Sequence, residues 1–278
     1  MSNGQLQNVI ENMPPLPAVT TQVLGLVQDP DYSIDDLVGL VRTDPTLTAR
    51  LLKLANSSLL SSVQGISNVR EALGRLGTRT VMRVVIASCT NHYFRSRGAV
   101  PQILDPNAIW RHALSCGVAC ELLAVRLGRS DAGSAFTAGV LHDIGKVALS
   151  QYVEEGPANA DAEQGESLIA FERRVFGFDH ATAAGFVLSR WPVPSDVRRA
   201  IVQHHDPAKI LIDPPLTAMV HVADLMVLRA GVGTPADGLE LEFLPEALTI
   251  LGIDTTLADS MAPRFLTELA QLEEMLTA

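Results

Sequence analysis

The chain has 278 residues, of which 47% are hydrophobic and 19% are charged, and its formal net charge is −10. This composition excludes a largely disordered chain, because the apolar content is sufficient for a sizeable core. The negative charge argues against nucleic acid as a partner, since the phosphate backbone would be repelled.

The sequence predicts a cytoplasmic protein without membrane contact. No uninterrupted apolar run approaches the roughly 18 residues that a membrane helix needs. The N-terminal stretch MSNGQLQNVIENMPPLP lacks the charged start and apolar middle of a signal peptide. An odd number of cysteines in a chain of this length argues against a disulfide framework.

The first hundred residues carry several helix-start signals. Ser33 followed by Asp36 matches a capping box, and Asp44-Pro45 matches an N-cap followed by proline in the first turn. We expect Ser67 to cap the next helix and Gly77 to end it. With no alternating strand pattern, these signals predict an N-terminal helical bundle.

The remaining chain continues the helical pattern. Asp105-Pro106 and Pro194-Ser195 each open a helix, and residues 101–106 are expected to form a hinge. The sequence therefore predicts an all-α protein of two helical subdomains, with residues 1–100 in the first and residues 101–278 in the second.

Histidines fall on the buried faces of several predicted helices. His112 shares a face with Ile109 and Cys116, by the 3.6-residue period. His204 continues the apolar stripe that includes Ile201, and His205 lies about 100° further round the helix. These positions direct at least two imidazoles toward the interior from separate helices.

An aspartate joins these histidines. Asp224 follows Val220 by four residues on a buried face, where a carboxylate is costly unless it is paired or bound to a metal. Packing alone does not explain inward-facing Asp and His side chains on separate helices. They are explained if they converge on a cation, and the alternative is a set of buried polar residues that hydrogen-bond one another without metal.

Two short motifs complete the set. In LHDIGKVAL, His142 and Asp143 are expected to close a helix that Gly145 terminates, and Lys146 is placed to neutralise Asp143 or to contact an anionic ligand. In FGFDHATAAG, Asp179 is expected to cap a helix with His180 in its first turn.

The order of these residues resembles the metal-site pattern of HD-domain phosphohydrolases, in the version with extra histidines found in HD-GYP phosphodiesterases. The N-terminal half is similar to a narrower group, the HDOD (HD-related output domain) proteins of bacterial signalling. That likeness rests on MPPLPAVTTQVLGLV, RTDPTLTARLLKLANS and ISNVREALGRLGTRTV, and with LHDIGK it covers about residues 10–275.

The resemblance implies an HD-domain-like helical core with a site for one or two divalent ions. The implied ligands of the first ion are His112, His142, Asp143 and Asp224, and those of the second are His180, His204 and His205, with Asp143 bridging. Such ligands suit Fe, Mn, Ni or Zn, and the sequence does not choose among them. In an active enzyme, Asp143 and Lys146 would be the catalytic residues.

Two departures shape the functional hypothesis. After His205 the chain reads HHDPAKILIDPPL, without the GYP motif, and Ala108 replaces a carboxylate that some relatives supply. We therefore expect a regulatory signal-transduction module that acts through a partner protein or a nucleotide ligand. The alternative is a metal-dependent phosphohydrolase or phosphodiesterase acting on a nucleotide or cyclic dinucleotide. The sequence leaves enzymatic activity and oligomeric state open.

Three further features have competing interpretations. Cys116 and Cys120 lie on one helix face, either as small core residues or as a redox or metal pair. Arg75, Arg79 and Arg83 recur every fourth residue, either as a solvated helix face or as a cationic stripe for an acidic partner, a phosphate group or RNA. His221 is expected to be structural or surface-facing.

Overall fold

The protein, in this computed structural model, is described for residues 18–28, 32–57, 65–95, 105–129, 132–155, 166–206, 209–210, 215–233 and 242–277. Within these ranges every regular element is a helix and no strand occurs, which confirms the predicted all-α class. Of the predicted hinge, only Asp105 and Pro106 fall inside the described residues, so a division of the chain at this point stays a prediction.

The N-terminal helices are α1 (Ala18–Gln28), α2 (Ile34–Arg42), α3 (Pro45–Ala55), α4 (Val69–Leu76) and α5 (Thr78–Arg95). The capping box of Ser33 is confirmed, and the Asp44 carboxylate accepts hydrogen bonds from the first turn of α3. The predicted cap Ser67 is wrong, because the neighbouring Asn68 accepts the backbone N–H of Glu71. Gly77 ends α4 with a φ of 78°, a conformation that favours glycine.

The C-terminal helices begin with α6 (Pro106–Arg126), α7 (Ala132–Leu141), α8 (Ile144–Glu155), α9 (Leu168–Phe176) and α10 (His180–Ser189). They continue with α11 (Ser195–Gln203), α12 (Leu216–Arg229), α13 (Pro245–Leu251), α14 (Thr255–Ser260) and α15 (Ala262–Thr277). The predicted starts at Asp105 and Asp179 are confirmed, since each carboxylate accepts a backbone N–H of the following helix.

Helix α6 is the central element of the core. It packs against α5, α7, α12 and α15, and its closest neighbour is α7. A Cβ on Gly139 of α7 would lie 2.5 Å from the Cys116 carbonyl oxygen of α6, so a side chain there would separate the two helices. Among the described residues, α6 is also the one helix long and apolar enough to cross a membrane, and 78% of that apolar stretch is buried in the fold.

The chain breaks between α7 and α8 at His142 and Asp143, as predicted, but Gly145 does not terminate the helix. It lies in the first turn of α8, and a Cβ there would overlap the carbonyl oxygen of His180. The glycine is required because α8 passes directly against the start of α10. This close approach brings the His142-Asp143 break to His180.

A network of ion pairs around a buried carboxylate joins α6 to α5 and α15. Glu121, whose side chain is 3% exposed, accepts hydrogen bonds from Arg79 and Arg83 of α5, and Arg83 also pairs with Glu268 of α15 at 2.7 Å. Arg75 belongs to α4 and is exposed. The three arginines therefore do not form one free cationic stripe, and Arg83 is not part of a solvated face.

Candidate metal centre

All eight sequence-predicted site residues converge on one buried region, from six separate parts of the fold. They are His112 on α6, His142 and Asp143 at the α7–α8 break, Lys146 on α8, His180 at the start of α10, His204 and His205 after α11, and Asp224 on α12. Their assignment to metal binding or catalysis remains a prediction, but their meeting point is a property of the fold.

The first group lies around Asp224. Nε2 of His112 lies 3.1 Å from Oδ1 of Asp224 and 3.6 Å from Oδ2 of Asp143. Nε2 of His142 lies 3.8 Å and 3.4 Å from the same two carboxylate oxygens. These separations are close enough for the four side chains to contact a common cation.

The second group consists of histidines alone. Nε2 of His180 lies 3.1 Å from Nε2 of His205, and the rings of His204 and His205 are tilted by 45° with their centroids 3.9 Å apart. One ligand nitrogen from each of these three residues lies within 4.8 Å of the others. The two groups share Asp143, since its Oδ1 atom is 3.3 Å from Nε2 of His180.

Four of the histidines are oriented by an acceptor on the far side of the ring. Nδ1 of His112 lies 2.9 Å from the Val232 carbonyl oxygen, and Nδ1 of His142 lies 2.7 Å from that of Gly139. Nδ1 of His180 lies 2.8 Å from the Glu172 carboxylate, and Nδ1 of His204 lies 2.5 Å from the Ile201 carbonyl oxygen. Metal-binding histidines commonly donate their second nitrogen in this way, which fixes the ring and directs the other nitrogen to the ion.

Several buried atoms that face the centre make no hydrogen bond among the described residues. They are Nε2 of His142, Oδ1 of Asp143 and Nε2 of His204. A buried polar atom without a partner costs about 1–3 kcal/mol, and more when it is charged. The arrangement fits a divalent ion, because the three atoms are nitrogen and oxygen donors directed to one place.

The electrostatics of the pocket favour neutral His204 and His205 beside ionised Asp143 and Asp224. Burial lowers the pKa of His204, and His142 and His180 lower it further, to about 3. Burial acts to raise the pKa of Asp143, but the charges of His142 and Lys146 outweigh it and hold that pKa well below its ordinary value. A neutral imidazole and an ionised carboxylate are the protonation states that bind metal.

Burial acts to lower the pKa of His180, but Glu172 outweighs it and raises that pKa, and His112 shifts in the same direction. Burial acts to lower the pKa of His112, but Cys116 and Asp224 outweigh burial and raise that pKa well above its ordinary value. Burial raises the pKa of the Cys116 thiol to about 11, so the negative charge beside His112 is that of Asp224.

Lys146 pairs with a carboxylate of the site. Its ammonium lies 2.8 Å from Oδ2 of Asp143, and the residue is 5% exposed. It lines a cavity of about 350 Å³ that reaches the metal-ligand candidates. The other polar residues of this cavity include Ser167, Arg173, His180, His205 and Glu242.

Sequence reasoning missed Glu172 and left two interpretations open for both His221 and Cys116. Glu172 fixes His180, accepting hydrogen bonds from its Nδ1 and its backbone N–H. His221 is buried, so its surface-facing interpretation is wrong; its Nδ1 lies 3.0 Å from the His204 carbonyl oxygen. The Sγ atom of Cys116 lies 3.5 Å from Nε2 of His112, so this thiol borders the site. The spacing of four from His112 was the available signal for Cys116.

An all-helical core that brings a His-Asp pair and further histidines into one pocket is the arrangement of HD-related proteins. The chain belongs to the HDOD family, since the HDOD domain profile matches residues 13–207. This confirms the resemblance found in the sequence.

Solved structures of similar fold come from several bacteria. An HDOD domain protein of unknown function from Geobacter sulfurreducens has a TM-score of 0.73, 25% identity and 98% coverage of both chains. A presumed signal transduction protein from Marinobacter aquaeolei has a TM-score of 0.73 and 21% identity, over 99% of this chain and 65% of its own. A presumed phosphohydrolase from Shewanella amazonensis has a TM-score of 0.67 and 22% identity, over 98% of both chains. The last two likenesses establish the fold alone.

An uncharacterized protein from Treponema pallidum is 25% identical over 203 residues, which are 71% of this chain. The chain spans 38% of the length of that curated relative.

Proposed function

We propose that the chain is a bacterial signal-transduction module of the cytoplasm, in which a divalent metal centre forms part of the binding site for a nucleotide ligand. Ligand binding would be relayed to a partner protein. The observation that carries the proposal is the common orientation of His112, His142, His180 and His204, whose Nδ1 atoms all meet acceptors and whose Nε2 atoms face the centre.

A phosphorylated ligand suits the cavity beside this centre. Its volume of about 350 Å³ is at the lower end of the range for small-molecule sites. Lys146 and Arg173 line it, and both are cations that pair with phosphate oxygens. A metal ion between His180 and His205 would add a further positive charge at the floor of the cavity. Asp224 and Glu242 also line the cavity, so the positive charge that a phosphate group needs would come mainly from the bound metal.

Metal quantification on anaerobically purified protein is the first test. We expect one or two ions of Fe, Mn, Ni or Zn per chain, and a content near zero would overturn the proposal. Calorimetric titration with nucleotides should then show binding to the loaded protein and not to the chelated protein. Lys146→Met should weaken that binding, whereas Lys53→Met, at an exposed position of α3, should leave it unchanged.

A second candidate function is phosphoester hydrolysis. It is favoured by the position of Lys146, which lines the cavity with its ammonium 2.8 Å from Asp143. A bound divalent ion would supply Lewis-acid polarisation of a phosphoryl oxygen. Asp143 would hold the two ion positions together, and Lys146 would stabilise the negative charge that develops on the leaving group.

The two functions are separated by turnover. Protein loaded with Fe, Mn or Ni is assayed against phosphomonoesters, nucleotides and cyclic dinucleotides. Rapid hydrolysis that is lost in Asp143→Ala would replace the regulatory proposal by the enzymatic one. Ligand binding without turnover under the same conditions would eliminate the enzyme.

A further inference from the structure

Cys116 stands one helical turn after His112 on α6, so the two side chains project from the same face. Its sulfur lies 3.5 Å from Nε2 of His112. One ligand atom from each of His112, Cys116, His142 and Asp224 lies within 4.8 Å of the other three, and all four residues are buried. The thiol therefore borders the first metal position.

We propose that Cys116 is a thiolate ligand of the first metal ion, in addition to His112, His142 and Asp224 and to Asp143, which stands between the two positions. The inference rests on the proposed metal centre and specifies its chemistry. Coordination forms a sulfur–metal bond in place of the S–H bond and releases one proton to solvent.

Two of the distances match donors at tetrahedral angles around one zinc ion, whereas Nε2 of His142 and Oδ1 of Asp224 are 3.8 Å apart and would have to approach each other on binding. A zinc ion with Zn–N near 2.0 Å and Zn–S near 2.3 Å separates nitrogen and sulfur by about 3.5 Å. The observed separation of His112 Nε2 and Cys116 Sγ is 3.5 Å. The same geometry separates nitrogen and carboxylate oxygen by about 3.3 Å, and His112 and Asp224 are 3.1 Å apart.

A second, independent observation directs a ligand to this place. Nε2 of His142 is buried and makes no hydrogen bond among the described residues, although its Nδ1 meets the Gly139 carbonyl oxygen. A ring fixed at one nitrogen and unsatisfied at the other is the state of a histidine prepared for a metal. The sulfur of Cys116 supplies a further donor around the same point.

A sulfur donor makes the two metal positions chemically unequal. The first would hold thiolate with imidazole and carboxylate, which favours Zn²⁺ or Fe²⁺ over Mn²⁺. The second, around His180, His204 and His205, has no sulfur within its donor group. The first equivalent of a thiophilic ion should therefore occupy the Cys116 position.

Cobalt titration of the chelated full-length chain tests the assignment. Co²⁺ reports its own binding by visible d–d bands and a thiolate ligand by a near-ultraviolet charge-transfer band. We expect both with the first equivalent in the unaltered protein. Cys116→Ser should lose the charge-transfer band and retain the d–d bands. Its affinity for Zn²⁺ should fall by about tenfold or more, because losing a ligand should cost at least as much as losing a residue that supports a ligand.

Cys120→Ser is the matched control, because Cys120 is a buried thiol on the same helix whose Sγ donates to the Met219 carbonyl at 3.7 Å. It should leave both bands unchanged. A d–d spectrum without a charge-transfer band in the unaltered protein would overturn the role of Cys116 and leave the metal centre intact. Absence of any cobalt spectrum would overturn the centre and this inference together.

X-ray absorption on the zinc-loaded unaltered protein gives a result that does not depend on a variant folding. A sulfur scatterer about 2.3 Å from zinc supports the proposal. A shell of nitrogen and oxygen alone at one equivalent of zinc refutes it.

Discussion

Asp143 presents its Oδ1 atom 3.3 Å from Nε2 of His180, while its Oδ2 atom faces His112 and His142. The carboxylate thus stands between the two groups of candidate ligands, with one oxygen for each. Lys146 adds a third charge at Oδ2, which explains how this carboxylate stays ionised when it is buried.

Asp143→Asn should therefore lower the metal content of both positions. Asp224→Asn should lower only that of the first, because Asp224 contacts His112 and His142 and not the second group. Metal per chain is measured by mass spectrometry after dialysis against limiting Zn²⁺ and Mn²⁺. Asp259→Asn, at an exposed pair with Arg229, is the control. Equal losses in the Asp143 and Asp224 variants would contradict a bridging role for Asp143.

Glu172→Gln should weaken only the second metal position. The Glu172 carboxylate fixes Nδ1 of His180 at 2.8 Å, and losing such a supporting group commonly costs about 10–100-fold in metal affinity. Competition with a chromophoric chelator measures each affinity. Glu166→Gln is the control, because the Glu166 carboxylate pairs with Arg174. This substitution should change neither metal affinity. An unchanged second affinity in Glu172→Gln would show that His180 is held in place by packing alone.

Local sequence signals predicted the helix starts and the inward-facing histidines well. The caps at Ser33, Asp44 and Asp179 involve hydrogen bonds within three residues, so the sequence contains both partners. Ser67 failed because Asn68 beside it offers an equally suitable oxygen. Even there, the error is a single position.

The supporting residues of the site were not predictable from local spacing. Glu172 reaches His180 only because the chain reverses between α9 and α10, and eight residues carry no helical period across that turn. Cys116 kept two interpretations, a small core residue or part of a redox or metal pair, because a thiol packs like a small apolar group and can also bind metal. Gly145 suggested a helix end, but its reason is tertiary: another helix passes against it.

Glu121→Gln should lower the free energy of unfolding by about 3 kcal/mol, the lower end for a broken buried ion pair. The carboxylate is buried and holds Arg79 and Arg83, but Arg79 is 46% exposed, which moderates the effect. Urea unfolding followed by circular dichroism measures the change. Asp259→Asn breaks an exposed pair and should cost less than about 1 kcal/mol. A similar small cost for Glu121→Gln would mean that the arginines find other partners.

Gly145→Ala should damage the second metal position and destabilise the fold. The added methyl group would overlap the His180 carbonyl oxygen, so α8 must move away from α10 at a cost of about 1–3 kcal/mol for overpacking. That displacement separates Asp143 from His180 and should weaken the second ion more than the first, as measured by cobalt titration.

Gly74→Ala is the matched comparison for that substitution. Gly74 lies inside α4, and a Cβ added to it would meet no neighbouring atom within 4 Å, so alanine there should raise stability by about 0.5–1 kcal/mol through helix propensity. The opposite signs expected for two glycine-to-alanine changes isolate the contact with His180 from the general effect of the substitution. If Gly145→Ala were as stable as Gly74→Ala and held both ions, the packing of α8 on α10 would not position the site.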